Sequence, residues 1–508
     1  MSKLDINKLD IAQKIGQVIM PRIDFNDPNS LPLARRLVKE CEVGGFIIFN
    51  GERDIVTEAT RELQAVSEIP LLFGCDAERG LGQIVSGTTL FPFTMSLGAA
   101  RDEELVYNQA RFIAREMKQC GLNLLFAPVS DVNINPNNPI INIRSYGDDP
   151  ELVSRLCVSF IKGCQEEGVL ACAKHFPGHG RTGVDSHVDL PVLSTSKEIL
   201  LSSDLIPFEE SIEAGVASIM TAHVAFPEIG DGDAVTISKG LVSDLLRDEM
   251  GYQGLIITDS LHMEGIIKLG DEGDISSQAL NAGCDIILDP KDPFKLIRNL
   301  SNSSNVELDK SSLNPSVERI ISVKNKWLTP DGTGDSKILE QGTKLREQIA
   351  RRSVCIVSGG VLKSKKARVY TFDVTQSDID ISSVFIQQLK RAGVRSANIS
   401  ISLNSNEEPV TDNIFDDTAI ICLVYTSVGA WKKQSFLPDY FKDILTKLES
   451  VSRETVLISF GSPYVVQDFG NFKTVICSFD SLSECQTAAA DVLLGELEAK
   501  GRLPVSLG

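Results

Sequence analysis

Residues 149–187 read DPELVSRLCVSFIKGCQEEGVLACAKHFPGHGRTGVDSH, and their order decides the fold class. Asp149–Glu166 spaces its apolar residues three and four apart, the period of an amphipathic helix. Val169–His175 follows as a short, nearly continuous apolar run, the pattern of a strand buried on both faces. The chain then enters a Gly-rich loop. Helix, buried strand and loop in that order form one turn of a parallel α/β structure.

The same unit recurs on both sides. Further strand candidates are Gln17–Pro21, Gly45–Asn50, Pro70–Asp76, Leu124–Val132, Ser218–Val224, Leu255–Asp259 and Cys284–Asp289. Helical patterns lie between them, among them Glu103–Gln119, Pro207–Ala214 and Ser238–Glu249. Eight such strands over roughly 300 residues match a closed (β/α)8 TIM barrel better than an open sheet. Ser316–Leu328 reads as its last helix, and Thr329–Lys337 (TPDGTGDSK) as a linker. The sequence therefore places a barrel domain at 1–330, a linker at 331–343 and a smaller α/β sandwich domain at 344–508. The last should hold a mainly parallel sheet built from Ser353–Val357, Arg368–Phe372, Thr418–Tyr425, Thr455–Ser459 and Thr474–Cys477.

Composition narrows the function. A net charge of −19 argues against nucleic acid or an anionic membrane as partner and favours a small substrate. The first twenty residues carry scattered charges and no apolar core, so they do not read as a signal peptide, and no run is long enough to span a bilayer. Eleven cysteines without a CxxC pair indicate neither a zinc site nor a disulfide scaffold, and suggest a reducing, cytoplasmic setting.

All five histidines fall in the barrel region: His175, His179, His187, His223 and His262. Asp76, Asp131, Lys174, His175, His223 and Asp259 all sit at or just after the C-terminal end of a strand candidate. That is the barrel face on which active sites are built. Asp185 and His187, two apart in the Gly-rich loop, can set a carboxylate against an imidazole, which suits a general acid/base. Asp259 ends a buried strand where a carboxylate can meet a substrate as nucleophile.

Lys174-His-Phe-Pro-Gly-His-Gly180 followed by Asp185-Ser-His187 resembles the signature of family 3 glycoside hydrolases, in particular their β-N-acetylglucosaminidase branch. Cys75-Asp-Ala-Glu-Arg-Gly80, Phe126-Ala-Pro-Val-Ser-Asp-Val132 and Asn142-Ile-Arg-Ser-Tyr-Gly147 are similar to further motifs of that family. So are Met220-Thr-Ala-His-Val224, Leu255-Ile-Ile-Thr-Asp-Ser260 and Gly501-Arg-Leu-Pro-Val-Ser-Leu507, so the resemblance spans both domains. It implies Asp259 as nucleophile, His187 as acid/base and Asp185 as its partner, with Asp76, Arg144, Lys174 and His175 holding the terminal sugar. It also implies retention of configuration, no metal or organic cofactor, and a carbohydrate substrate such as a peptidoglycan fragment. One departure stands out: Arg79 occupies a position that is usually glycine in the family, which bears on the aglycone side.

Three other readings fit some of these residues. A phosphorylase on the same scaffold is one, because a neutral imidazole does not repel phosphate as a carboxylate base would. A metal-dependent barrel hydrolase would use His175, His179 and His223, though Lys174 beside them opposes a cation. A sugar-binding protein without catalysis is the third, and the intact Asp185, His187 and Asp259 oppose it.

Overall fold

The computed structural model describes residues 5–229, 232–302, 308–328, 337–375, 380–401, 417–427 and 437–507. They form two compact units. The first comprises residues 1–90, 103–138 and 153–342, and the second 91–102, 139–152 and 343–508. The second unit thus includes two short segments from the first third of the chain. The expected linker at 331–343 lies partly outside the described residues, and its end falls in a helix, Ile338–Ser353.

The first unit is the barrel. Its strands are β1 (Ile19–Met20), β2 (Arg22–Asp24), β3 (Gly45–Phe49), β4 (Leu72–Cys75), β5 (Leu124–Leu125), β6 (Leu170–Phe176), β7 (Ser218–Thr221), β8 (Leu255–Thr258) and β9 (Ile287–Leu288). β2 to β8 are hydrogen-bonded in sequence order, and every pair is parallel. β1 pairs in parallel with β9, and the Ile286 amide bonds to Ile256 O beside β8, so the sheet returns on itself. β1 and β2 are one strand interrupted at Pro21, which has no N–H to give the ladder.

The strands read as expected from burial on both faces: all seven residues of β6 are buried. Gly74 in β4 is required by packing, since a Cβ there would meet the Phe126 ring at 2.9 Å and the Met20 methyl at 3.0 Å. Leu124–Val132 pairs regularly only over its first two residues. Pro128 interrupts the ladder, and the extended chain touches β6 again through the Ser130 amide and Lys174 O. Gly240–Glu249, expected as an α-helix, winds with the wider i→i+5 spacing.

In the second unit the sheet runs β10 (Cys355–Ser358), β15 (Thr474–Cys477), β14 (Thr455–Phe460), β13 (Thr418–Tyr425), β11 (Lys366–Asp373) and β12 (Arg395–Ile401). Only β10 is antiparallel to its neighbour. Helices cover both faces, over one core around Tyr370, Phe441 and Leu457 and another around Val369, Phe385 and Ile458. Sequence reading missed β12, an edge strand whose residues are largely exposed. All eleven cysteines are free thiols and ten are buried. Among the described residues no helix is long and apolar enough to cross a membrane.

Candidate active site

The C-terminal ends of β4, β6, β7 and β8 deliver the polar residues that the sequence singled out. Lys174 and His175 are neighbours within β6, where the register against β7 slips between Lys174 and Phe176. Such a bulge lets two consecutive side chains serve one face. Lys174, only 2% exposed, sets its Nζ 2.6 Å from Asp76 Oδ1 and 2.8 Å from Glu78 Oε1. Asp76 follows β4 directly and is a third exposed, so its carboxylate opens to solvent while the lysine anchors it from below.

His175 donates through Nδ1 to Asp131 Oδ2 at 2.7 Å. The Asp131 Oδ1 accepts the backbone N–H groups of His175 and His179. Burial works against ionisation of Asp131, but His175 and these donors outweigh it and hold the carboxyl below its usual range. The pairing fixes the imidazole tautomer, leaving Nε2 as the ring atom turned away from the carboxylate.

The Gly-rich loop after β6 is a folded unit. His179 is buried and holds Thr182 Oγ1 through Nδ1 and Ser186 Oγ through Nε2, both at 2.8 Å. Burial, and then the nearby His175, push its pKa down to about 4, so the ring is neutral at ordinary pH. Arg181 pairs with the buried Asp204. The loop then presents Asp185, whose Oδ1 lies 2.8 Å from His187 Nδ1. Its far side rests on the segment after β8: Glu264 N donates to His187 O and Gly265 N to Ser186 O, while Lys268 Nζ bonds to Asp189 Oδ1.

Asp259 stands at the end of β8 and is half-buried, with Oδ1 accepting the Ser260 N–H at 2.7 Å. Burial would raise its pKa. The fields of His175, His223 and His187 prevail and keep the carboxyl below its usual range, hence ionised. Those fields converge from β6, from the end of β7 and from the loop. His223 bonds Thr236 Oγ1 through Nδ1 and Ser260 O through Nε2. Both ring nitrogens of His179 and of His223 are therefore taken within the protein, which leaves the metal-site reading without two of its three ligands. Among the described residues no group of three His, Cys, Asp or Glu side chains could hold an ion.

Arg144 lies in the segment 139–152 of the second unit, where its Nη1 donates to Ile140 O at 3.0 Å. The backbone N–H of Arg79 donates to Gln83 Oε1, and Gly80 after it takes a positive φ of 101°. The left-handed residue of this turn is therefore Gly80, and Arg79 itself takes no positive φ. Glu78 and Asp131 are the site residues to which sequence reading gave no role. Their signal was position alone: Glu78 is two residues after Asp76, and Asp131 follows β5.

The C-terminal side of the barrel strands thus carries a carboxylate held ionised, a carboxylate–imidazole pair on the loop after β6, and a lysine–carboxylate cluster at the ends of β4 and β6. Residues 10–323 match the glycosyl hydrolase family 3 N-terminal domain. The chain belongs to glycosyl hydrolase family 3 and is a glycoside hydrolase. Its likeness within that family is to the β-N-acetylglucosaminidase branch. It is 27% identical to the β-hexosaminidase A of Pseudoalteromonas piscicida, over 94% of this chain and 91% of that one. A solved structure of a family 3 β-N-acetylglucosaminidase from Paenibacillus sp. str. FPU-7 superposes with a TM-score of 0.84 at 30% identity, covering 98% and 99% of the two chains. A β-glucoside phosphorylase structure shares the fold at a TM-score of 0.90 and 24% identity, covering 99% and 95%.

Proposed function

We propose that the protein is a retaining exo-β-N-acetylglucosaminidase that removes terminal, non-reducing β-linked N-acetylglucosamine by double displacement. The observation that carries this reading is the Asp185–His187 pair, held by a loop that is hydrogen-bonded to the segment immediately following Asp259. Hexosaminidase relatives along the whole chain support the sugar.

Asp76, Arg144, Lys174 and His175 hold the sugar hydroxyls. Protonated His187 gives its proton to the glycosidic oxygen while ionised Asp259 attacks the anomeric carbon through an oxocarbenium-like state. The leaving group departs as the alcohol, and a glycosyl ester on Asp259 remains. His187, now neutral and held by Asp185 through Nδ1, takes a proton from water at Nε2. The hydroxide equivalent displaces Asp259 and regenerates the free carboxylate. The catalytic domain is the barrel, at about residues 1–330, and the smaller α/β domain begins at 344. The physiological substrate is a peptidoglycan fragment, consumed in the cytoplasm.

Release of p-nitrophenol from its β-N-acetylglucosaminide tests the reading. Turnover that disappears in Asp259→Ala and is indifferent to phosphate supports it. Strong stimulation by phosphate, with the sugar 1-phosphate as product, would replace water by phosphate as acceptor at the same site. No turnover by the wild type would overturn the substrate.

A further inference from the structure

The second unit carries a cavity of about 820 Å³ at the N-terminal edge of its sheet, lined wholly by residues of that unit. Its frame is the segment from Gly359 to Lys365, laid across the starts of four adjacent strands. Gly360 exchanges hydrogen bonds with Thr474 at the start of β15. The amides of Lys363 and Ser364 donate to the two oxygens of Glu454, just before β14. Ser364 Oγ donates to Asp417 O, before β13, and the segment then enters β11. Neighbouring strands lie roughly 4.8 Å apart, so the crossing is on the order of 15 Å wide.

The charges on this frame are unlike those of the molecule. The chain has 69 acidic and 50 basic residues, whereas the cavity wall offers Lys363, Lys365, Lys366, Arg453 and Lys473 against Asp417 and Glu454. The two acids are already engaged, Asp417 with Lys366 Nζ and Glu454 with the backbone amides. Lys363, Lys365 and Lys473 are exposed, and among the described residues their ammonium groups enter no ion pair. Side chains of one sign gathered on a braced backbone, in an otherwise acidic protein, concentrate a field that attracts anions. At Gly360 the wall is bare backbone, with open space where a side chain would stand, so a ligand can approach it closely.

We propose that this cavity binds a small polyanion with clustered phosphate charges, such as pyrophosphate or the polyphosphate tail of a nucleotide. Three separated ammonium groups match several adjacent phosphoryl oxygens better than a single carboxylate. The site is distinct in residues from the barrel mouth and independent of the sugar assignment.

Calorimetric titration of the full chain with pyrophosphate, ATP and AMP tests this. The wild type should bind pyrophosphate or ATP with an affinity that falls as salt rises. The Lys363→Gln/Lys365→Gln double variant and Lys473→Gln should each weaken binding at least about tenfold, with cleavage of the chromogenic glycoside unchanged. Lys390→Gln/Arg391→Gln, the same charge change at exposed positions elsewhere in the unit, should leave it intact. Pyrophosphate bound as tightly as ATP identifies the phosphates as the recognised group; ATP bound alone adds the nucleoside to it. The proposal fails if neither binds, or if the control variant weakens binding as much as the cavity variants do.

Discussion

Asp185 holds His187 twice through one oxygen: its Oδ1 accepts the imidazole Nδ1–H at 2.8 Å and the His187 backbone N–H at 2.9 Å. The two bonds fix side chain and main chain together, so the ring turns only if the loop itself changes. Asp185→Asn keeps an oxygen for the backbone bond but removes the charge that favours the imidazolium. Cleavage of glycosides with poor leaving groups should fall about 10²–10³-fold, and that of the p-nitrophenyl glycoside much less, because p-nitrophenol departs with little protonic help. A kcat/KM series across leaving groups checks this. An equal loss for every leaving group would show that Asp185 does not act through acid catalysis.

Lys174 has a structural role beside its proposed hold on substrate. With 2% of its side chain exposed, it lies against Asp76 and the nearly buried Glu78. Lys174→Met takes the lysine from a Glu78 carboxylate whose side chain is only 6% exposed. The barrel should lose about 3–5 kcal/mol, the usual cost of removing one partner of a buried pair. Adding Glu78→Gln to that background removes the buried negative charge and should recover part of the loss. Urea unfolding of wild type, single and double variants measures the coupling. If the double variant is no more stable than Lys174→Met, the pair is not what holds this corner.

How much of this was legible beforehand follows from the range of each interaction. β4, β6 and β8 could be read because short apolar runs ending in Asp76, Lys174–His175 and Asp259 are local patterns. Their convergence then follows from barrel geometry. The pairing of Lys174 with Asp76 spans 98 positions and that of His175 with Asp131 spans 44, separations on which periodicity is silent. β12 was missed for a different reason: an edge strand needs only one ladder, and Arg395–Ile401 is mostly exposed and carries no buried face to read. Arg144 matched a motif, yet its segment packs with the second unit, a placement that no local pattern encodes.

Gly265 tests whether the acid/base loop must rest on the segment after β8. A Cβ at this position would lie 2.7 Å from Ser186 O and 2.9 Å from Asp189 O, both backbone atoms that flank His187. Gly265→Ala therefore pushes the loop outward, and a shift on the order of 1 Å is enough to lower kcat about 10–100-fold. Lys268→Ala, which removes the exposed pair with Asp189 and a bond to Val188 O, should change kcat by less than about threefold. Burst kinetics with an activated substrate should show Asp259 still being glycosylated in Gly265→Ala. A Gly265→Ala enzyme with wild-type kcat would mean that the docking seen here is not needed for catalysis.

Lys324 is a buried amine in the helix Lys310–Trp327, 1% exposed, with Gln17 Oε1 accepting from its Nζ at 2.6 Å. Burial lowers its pKa from 10.5 to about 7. Between pH 7 and pH 10.5 the unfolded chain therefore binds a proton that the native protein does not. Stability contributed at this site rises with pH across that window, and the penalty is greatest at and below its lower end. Lys324→Met keeps most of the side-chain volume and removes the penalty, at the cost of the Gln17 contact. The net gain at neutral pH should be about 1–3 kcal/mol, once roughly 1–3 kcal/mol is allowed for the stranded Gln17 oxygen. At higher pH the native and unfolded wild type approach the same neutral lysine, so the gain must shrink. Urea unfolding at pH 7 and at about pH 9.5, followed through the barrel's own transition, measures both the size and the slope. A variant less stable than wild type at pH 7, or a gain that grows with pH, would show that Lys324 reaches solvent or a counter-charge and is not held neutral by burial.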